Sequence, residues 1–251
     1  MIQMTTIQKI GKLFILFLIV AGLASCDDDS ELEEFNYYGD VVLAKRMLNN
    51  TIKYSPMYYA YGNRTITSAE VSLPEGETVS LSQSSYSSAT FYDLPDISDY
   101  SEDTPDFDSY TFTIVNDGIE YTTTDILEND TLISIPSIDS VSFSYNTYEE
   151  VYVEWELPDD NEPDNEPDSY LVRMVDKDYE TVFTGFLLDN TQSTYKISDG
   201  WGSFDQTPIE GTIYTVEVHA FKYENDATTS DYLYNVNTVA IASEDIRWGE
   251  E

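Results

Sequence analysis

From residue 151 to residue 157 apolar and polar side chains alternate without a break, Val151, Val153, Trp155 and Leu157 against Tyr152, Glu154 and Glu156. An extended strand sends successive side chains to opposite faces, so this spacing puts four apolar groups on one dry surface and three polar ones in water. A second run, 212–221, repeats the pattern: Tyr214, Val216, Val218 and Ala220 point one way, and Thr215, Glu217, His219 and Phe221 the other. Between the two lie Tyr170, Val172 and Met174, then 182–187 and 195–197, and after them comes 232–241. The count and spacing of these segments suit a seven-stranded Greek-key sandwich.

The rest of the chain agrees with an all-β protein. It carries 21 Tyr, 11 Phe and 3 Trp with many Val, Ile and Thr, the residues that fit a pleated, half-buried surface. In the N-terminal half the best-marked strands are 66–73, 78–81 and 110–124. Asn116, Asp117 and Gly118 supply a hairpin turn within the last, and Pro74, Glu75 and Gly76 another turn. Val41, Val42, Leu43, Ala44 and Met47 fit either a strand or one helical turn, and strand is the favoured assignment.

Trp155 followed by Leu157 and Pro158, and later Gly211 with Tyr214, Val216, Val218 and Ala220, resemble a fibronectin type III domain over roughly 137–243. The resemblance implies that Trp155 lies in the core on the second strand and that Tyr214 begins the sixth. The stretch 199–206, with Trp201 in it, departs from the family's short link and reads as a decorated loop.

The first 25 residues have the parts of an export signal: basic Lys9 and Lys12, an uncharged apolar core over 13–22, and small residues before a cut. That core is too short to cross a hydrocarbon layer of ~30 Å as a helix. Leu23, Ala24, Ser25 and Cys26 resemble the bacterial lipobox, which implies a lipid on Cys26, the chain's only cysteine. Asp27, Asp28, Asp29, Ser30 and Glu31, with Glu33 and Glu34, resemble the surface-export signal of Bacteroidota lipoproteins. A solvated tether has the same composition. The expected fold class is therefore all-β, with two consecutive β-sandwich domains after a lipoprotein signal peptide (1–25) and acidic tether (26–38). The first sandwich, 39–136, reads as immunoglobulin-like, the second, 137–243, as fibronectin type III-like, and 244–251 as a C-terminal tail.

Removing the signal leaves 9 basic against 48 acidic residues, a net charge of −39. Such a surface repels nucleic acid and favours cations. His219, the only histidine, falls on the outer face of its strand and reads as an inert surface group. With Cys26 committed to lipid, histidine-dependent triads, cysteine proteases and the usual zinc sites drop out.

Three candidate sites remain. Trp201, beside Gly200 and Gly202, and the cluster Tyr54, Tyr58, Tyr59 and Tyr61 offer aromatic platforms on which sugar rings stack. The loop 159–168, with Asp159, Asp160, Asp164 and Asp168 in a duplicated Asn-Glu-Pro-Asp, offers oxygens to calcium, as does the acidic run 93–108. No other cofactor is expected. The expected function is that of a non-enzymatic, lipid-anchored protein at the outer membrane, exposed on the cell surface, which binds glycan or a protein partner. The alternatives are a structural or assembly component of an envelope complex, and a carboxylate-only glycosidase.

Overall fold

The computed structural model describes residues 34–129, 133–145, 149–157, 166–224 and 235–250. Contacts group 36–251 into one compact unit. Within it, three sheets form from strands in chain order.

The chain enters through β1 (Tyr37–Leu48) and β2 (Thr51–Gly62). Leu48 pairs with Thr51, and both linking residues, Asn49 and Asn50, have positive φ (53° and 63°). That is the two-residue hairpin geometry asparagine tolerates best among residues with a side chain. Next come β3 (Ser68–Ser72), β4 (Thr78–Ser80), β5 (Ser82–Gln83), β6 (Thr90–Asp93) and a 3₁₀ turn at Ile97–Asp99. The hairpin β7 (Ser109–Asn116) and β8 (Ile119–Ile126) turns on Asp117 and Gly118, both at positive φ, as the sequence led us to expect.

A four-stranded sheet, β4-β3-β7-β8, faces β1 and β2. Tyr58 of β2 meets Tyr110 of β7 at 5.9 Å between ring centres. Phe112 lies so close over Gly39 that a Cβ there would stand 2.2 Å from its ring. Leu43, Ala60, Val71, Phe112 and Ile114 are wholly buried, so the N-terminal half has a sandwich core of its own.

The C-terminal half opposes three strands to four. β9 (Ser137–Tyr145), β10 (Glu149–Glu156) and β14 (Thr194–Ile197) make one sheet. Opposite them run β11 (Ser169–Val175), β12 (Thr181–Gly185), β16 (Ile213–Tyr223) and β17 (Val236–Arg247). The short strands β13 (Leu188–Asp189) and β15 (Gly202–Phe204) pair with β11 and β12. This is the expected Greek-key sandwich, fibronectin type III-like in strand order, with Trp155 on its second strand packed at 5.4 Å on Tyr170. The Tyr214 hydroxyl accepts a hydrogen bond from the Ile209 amide at 3.0 Å, tying the link before β16 to the strand itself. Leu157 falls beyond the last paired residue of β10 and is exposed rather than inward.

The two halves are not strung together by a linker alone. β1 pairs in parallel with β17, Leu43 opposite Thr238 through Arg46 opposite Ile241. One sheet therefore runs β15-β12-β11-β16-β17-β1-β2-β6-β5 through both sandwiches. A strand at the middle of such a sheet is covered on both faces, which is why Val41, Val42, Leu43 and Ala44 read as a continuous apolar run without alternation. Residues 40–46 are buried throughout.

That pairing changes two expectations. His219 and Glu217 do lie on the side of β16 away from the Trp155 core, but the side is covered: they are 6 % and 3 % exposed. Arg46 of β1 and the Tyr100 ring close over them. The residues read as a C-terminal tail instead extend β17 to Arg247. Trp248 follows, 2 % exposed, with its ring against Phe143, Phe204 and Tyr214.

Candidate functional site

A groove of about 690 Å³ opens at one end of the C-terminal sandwich, within the size range of small-ligand sites. Its floor is Phe204 and Trp248, and its walls carry Glu149, Glu150, Lys196, Ser198 and Asp199, with Thr207 and Pro208 at the far side. Each wall has a local cause. Glu149 and Glu150 open β10, Lys196 leaves the outer side of β14 between inward-facing Tyr195 and Ile197, and a turn closed by the Trp201 amide on the Ser198 carbonyl (3.1 Å) carries Asp199 and Gly200. Gly200 has φ of +86°, a conformation glycine adopts without strain.

That turn presents Trp201 at the rim. The side chain is 50 % exposed, stands edge-on to Tyr195 at 6.4 Å, and has the Lys196 ammonium 5.4 Å from its ring centre. Beyond it the chain enters β15 at Gly202, where a Cβ would meet the Phe183 ring and the Thr184 carbonyl at 2.4 Å. The glycine thus lets the Trp201 loop sit flat against the sheet.

Charge in the groove is organised around Glu150. It accepts from the Tyr152 hydroxyl at 2.6 Å and from Lys196 at 2.9 Å. These two bonds, the tyrosine's foremost, pull the Glu150 carboxyl below the usual range, and the same contacts raise Lys196. Both groups are charged at neutral pH and fixed side by side, with the Lys196 end of the pair against the Trp201 ring. Glu149 accepts from the Trp248 indole N–H at 3.0 Å, so its carboxylate is anchored to the floor. The groove itself supplies two oriented carboxylates and an ammonium, with the Tyr152 hydroxyl bonded to Glu150 and the Trp201 ring beside Lys196 just outside its lining.

The tyrosine cluster does not assemble. Strand alternation in β2 sends Tyr54 and Tyr58 to one face and Tyr59 and Tyr61 to the other. Tyr58 is buried against Tyr110, and burial pushes its hydroxyl pKa up. Tyr59 is half-buried and likewise raised by burial, while Tyr61 stacks on Tyr38 at 5.3 Å. Tyr54 is bracketed by backbone hydrogen bonds to Ser101.

Of the calcium candidates in the duplicated loop, Asp159, Asp160 and Asp164 lie outside the described residues, as does Cys26. Asp168 is occupied by its own neighbours: it accepts from the Tyr223 amide at 2.8 Å and from Lys222 at 3.5 Å. In the 93–108 run, Asp99 turns back to the Asp96 amide at 2.8 Å and closes the 3₁₀ turn. The glycines on either side of Trp201 did point to an exposed loop, and the ring is half exposed there. Nothing local pointed to Lys196 or Glu150, because their meeting depends on β14 pairing with β10 across 46 residues.

No protein-family model matches this sequence. No curated protein matches it either. Among solved structures, the FN1–FN3 domains of chicken CNTN1 align with 14 % identity over 83 % of this chain and 65 % of that one, with a TM-score of 0.30. This chain therefore spans just under two thirds of that protein's length. At such a score the fold assignment rests on the strand order described above.

Proposed function

We propose that the chain is a non-enzymatic, lipid-anchored binding protein of the outer membrane, exposed on the cell surface, and that the groove beside Trp201 takes a glycan. The export signal and Cys26 support the anchor, and the acidic run after Cys26 supports surface exposure on a Bacteroidota-type cell. The observation that carries the ligand class is the half-exposed Trp201 ring 5.4 Å from the Lys196 ammonium, which is itself paired with Glu150. Sugar rings present an apolar face and a rim of hydroxyls, which such a site meets with stacking and with charged hydrogen bonds. The strong negative charge disfavours nucleic acid as a ligand.

In this groove binding is favoured over hydrolysis by the state of its two glutamates, Glu149 and Glu150. A glycosidase needs one acid held protonated near neutral pH. Glu150 is instead pulled down by Tyr152 and Lys196, and Glu149 is bound to Trp248.

The test is a polysaccharide and glycan-array screen with the full-length protein, followed by Lys196→Ala. Retention on a glycan that the variant loses, with no reducing sugar released, is the expected result. Silence on every glycan would refute the ligand class and turn attention to a protein partner or to an assembly role. Release of sugar would refute the non-enzymatic assignment.

A further inference from the structure

At the seam where β1 leaves β17, three carboxylates meet from three separate parts of the chain. Asp40 comes from β1, Asp125 from the end of β8, and Glu224 from the residue after β16. One oxygen from each can be chosen so that all lie within 4.8 Å of one another. Among the described residues, parallel pairing with β17 begins only at Leu43, so the earlier part of β1 has an edge outside that ladder. Asp125 fills part of it by accepting from the Val41 amide at 2.7 Å, and from its neighbour Ile126 at 2.8 Å.

The exceptional member is Asp40. It is 3 % exposed, yet neither carboxylate oxygen accepts a well-formed hydrogen bond. Burying a carboxylate without a partner costs several kcal/mol. The groups that act on it are mostly of the wrong sign: after burial itself, Asp125 and Glu224 push its pKa up, and only the Val236 amide opposes them. Glu224 is raised to about 7 by burial, Asp125 and Glu128. Asp125 is raised by burial despite its two amide bonds. No lysine or arginine is among the groups that perturb any of the three. Among the described residues the fold has thus gathered three acids, one of them sealed from water, and brought no lysine or arginine to act on them.

We infer that Asp40, Asp125 and Glu224 are the protein ligands of a divalent cation of the calcium class, held where the two sandwiches join. The donors are hard oxygens with no histidine or cysteine among them, which suits calcium and disfavours zinc. Calcium–oxygen bonds of about 2.4 Å let two ligands stand up to about 4.8 Å apart across the ion, wider than magnesium's shorter bonds allow. Three carboxylates supply three to six oxygens, and water completes the shell. Because the ligands come from β1, β8 and the end of β16, a bound ion ties the N-terminal sandwich to the C-terminal one. The rival explanation for the same geometry is a proton held between Asp40 and Asp125, and the two differ in their response to calcium.

Full-length protein stripped with chelator is titrated at pH 7.5 with calcium, and with magnesium in parallel, by calorimetry and by thermal melting. The expected result is one saturable calcium site that raises Tm and binds magnesium more weakly. Asp40→Asn is expected to weaken that site by roughly tenfold or more, while the calcium-free variant melts no lower than calcium-free wild type, since a buried charge has been removed. Should Asp40→Asn fail to fold, Glu224→Gln, at a less buried position, tests the same loss. Absence of saturable binding up to about 10 mM calcium would overturn the inference in favour of the shared proton. So would saturable binding that survives both substitutions, because the ion would then be held elsewhere, the duplicated acidic loop included.

Discussion

Replacing Arg46 by leucine should reveal how the two sandwiches are locked. Its guanidinium lies 2.6 Å from Glu217 across the β17 strand, with side chains 7 % and 4 % exposed. Tyr100 and Tyr179 flank it at 5.4 and 5.6 Å. Glu217 also bonds to His219 at 2.9 Å. Burial by itself would raise the Glu217 carboxyl, but His219, Arg46 and Arg173 outweigh it and hold the group down, from 4.5 to about 2. At 1.36 kcal/mol for each decade, that drop corresponds to about 3 kcal/mol of stabilisation of the ionised form. Removing one partner of a buried pair costs about 3–5 kcal/mol, so Arg46→Leu should lose an amount in that range. The pH signature follows from the sign. A group whose folded pKa lies below its unfolded value stabilises the fold above the unfolded value and loses that contribution as pH falls through the folded one. Wild type should therefore lose about 3 kcal/mol between roughly pH 4.5 and pH 2 through Glu217, and the variant less, since it keeps His219 and Arg173 but lacks Arg46. The assay is urea unfolding of the full-length protein followed by tryptophan fluorescence at a series of pH values. The double variant Arg46→Leu with Glu217→Leu should recover most of the loss at neutral pH, because it leaves no buried charge unpaired. A single-variant loss under about 1 kcal/mol, or one unchanged in the double variant, would refute the pairing argument.

Other expectations follow from packing. Trp248→Ala should cost about 3–5 kcal/mol, since the ring is 2 % exposed among aromatic neighbours; a surface tail would tolerate it within about 0.5 kcal/mol. Gly39→Ala should destabilise by about 1–3 kcal/mol, because the added methyl meets Phe112 at 2.2 Å, and a thermal melt unchanged from wild type would contradict that contact. Trp201→Ala should leave stability within about 0.5 kcal/mol, as its ring is half exposed, so that any binding loss is read free of unfolding.

Sandwich strands that keep one wet face, such as β7 and β10, were legible because alternation reports that face directly. Val151, Val153 and Trp155 went inward and Tyr152, Glu154 and Glu156 outward, as their spacing demanded. Where a second layer covers the other face, the same rule misleads. Glu217 and His219 alternate like solvated residues, and nothing local tells that Arg46, 171 positions from Glu217, will arrive to neutralise them. The parallel pairing of β1 with β17 has the same character, since it joins the first strand described to the last. Its trace in the sequence is the unbroken apolar run 41–44, which fits a central strand and a buried helical turn equally well. The Asn116–Gly118 turn, by contrast, was readable from residue type, and Asp117 and Gly118 both take the positive φ it needs. Trp201 could be placed in an exposed loop by its glycine neighbours, but its partners Lys196 and Glu150 required the sheet. Asp40 looked like any other acid in a chain with 48 of them; only burial distinguishes it.

The most direct measurement is the affinity of the full-length protein for the glycan that binds best in a screen, compared among wild type, Trp201→Ala and Trp201→Phe. Binding that falls in the alanine variant and partly returns with phenylalanine, at unchanged Tm, is the result expected of a sugar stacked on the Trp201 ring. Equal affinity in all three proteins, or no glycan bound by wild type, would contradict the groove's assignment.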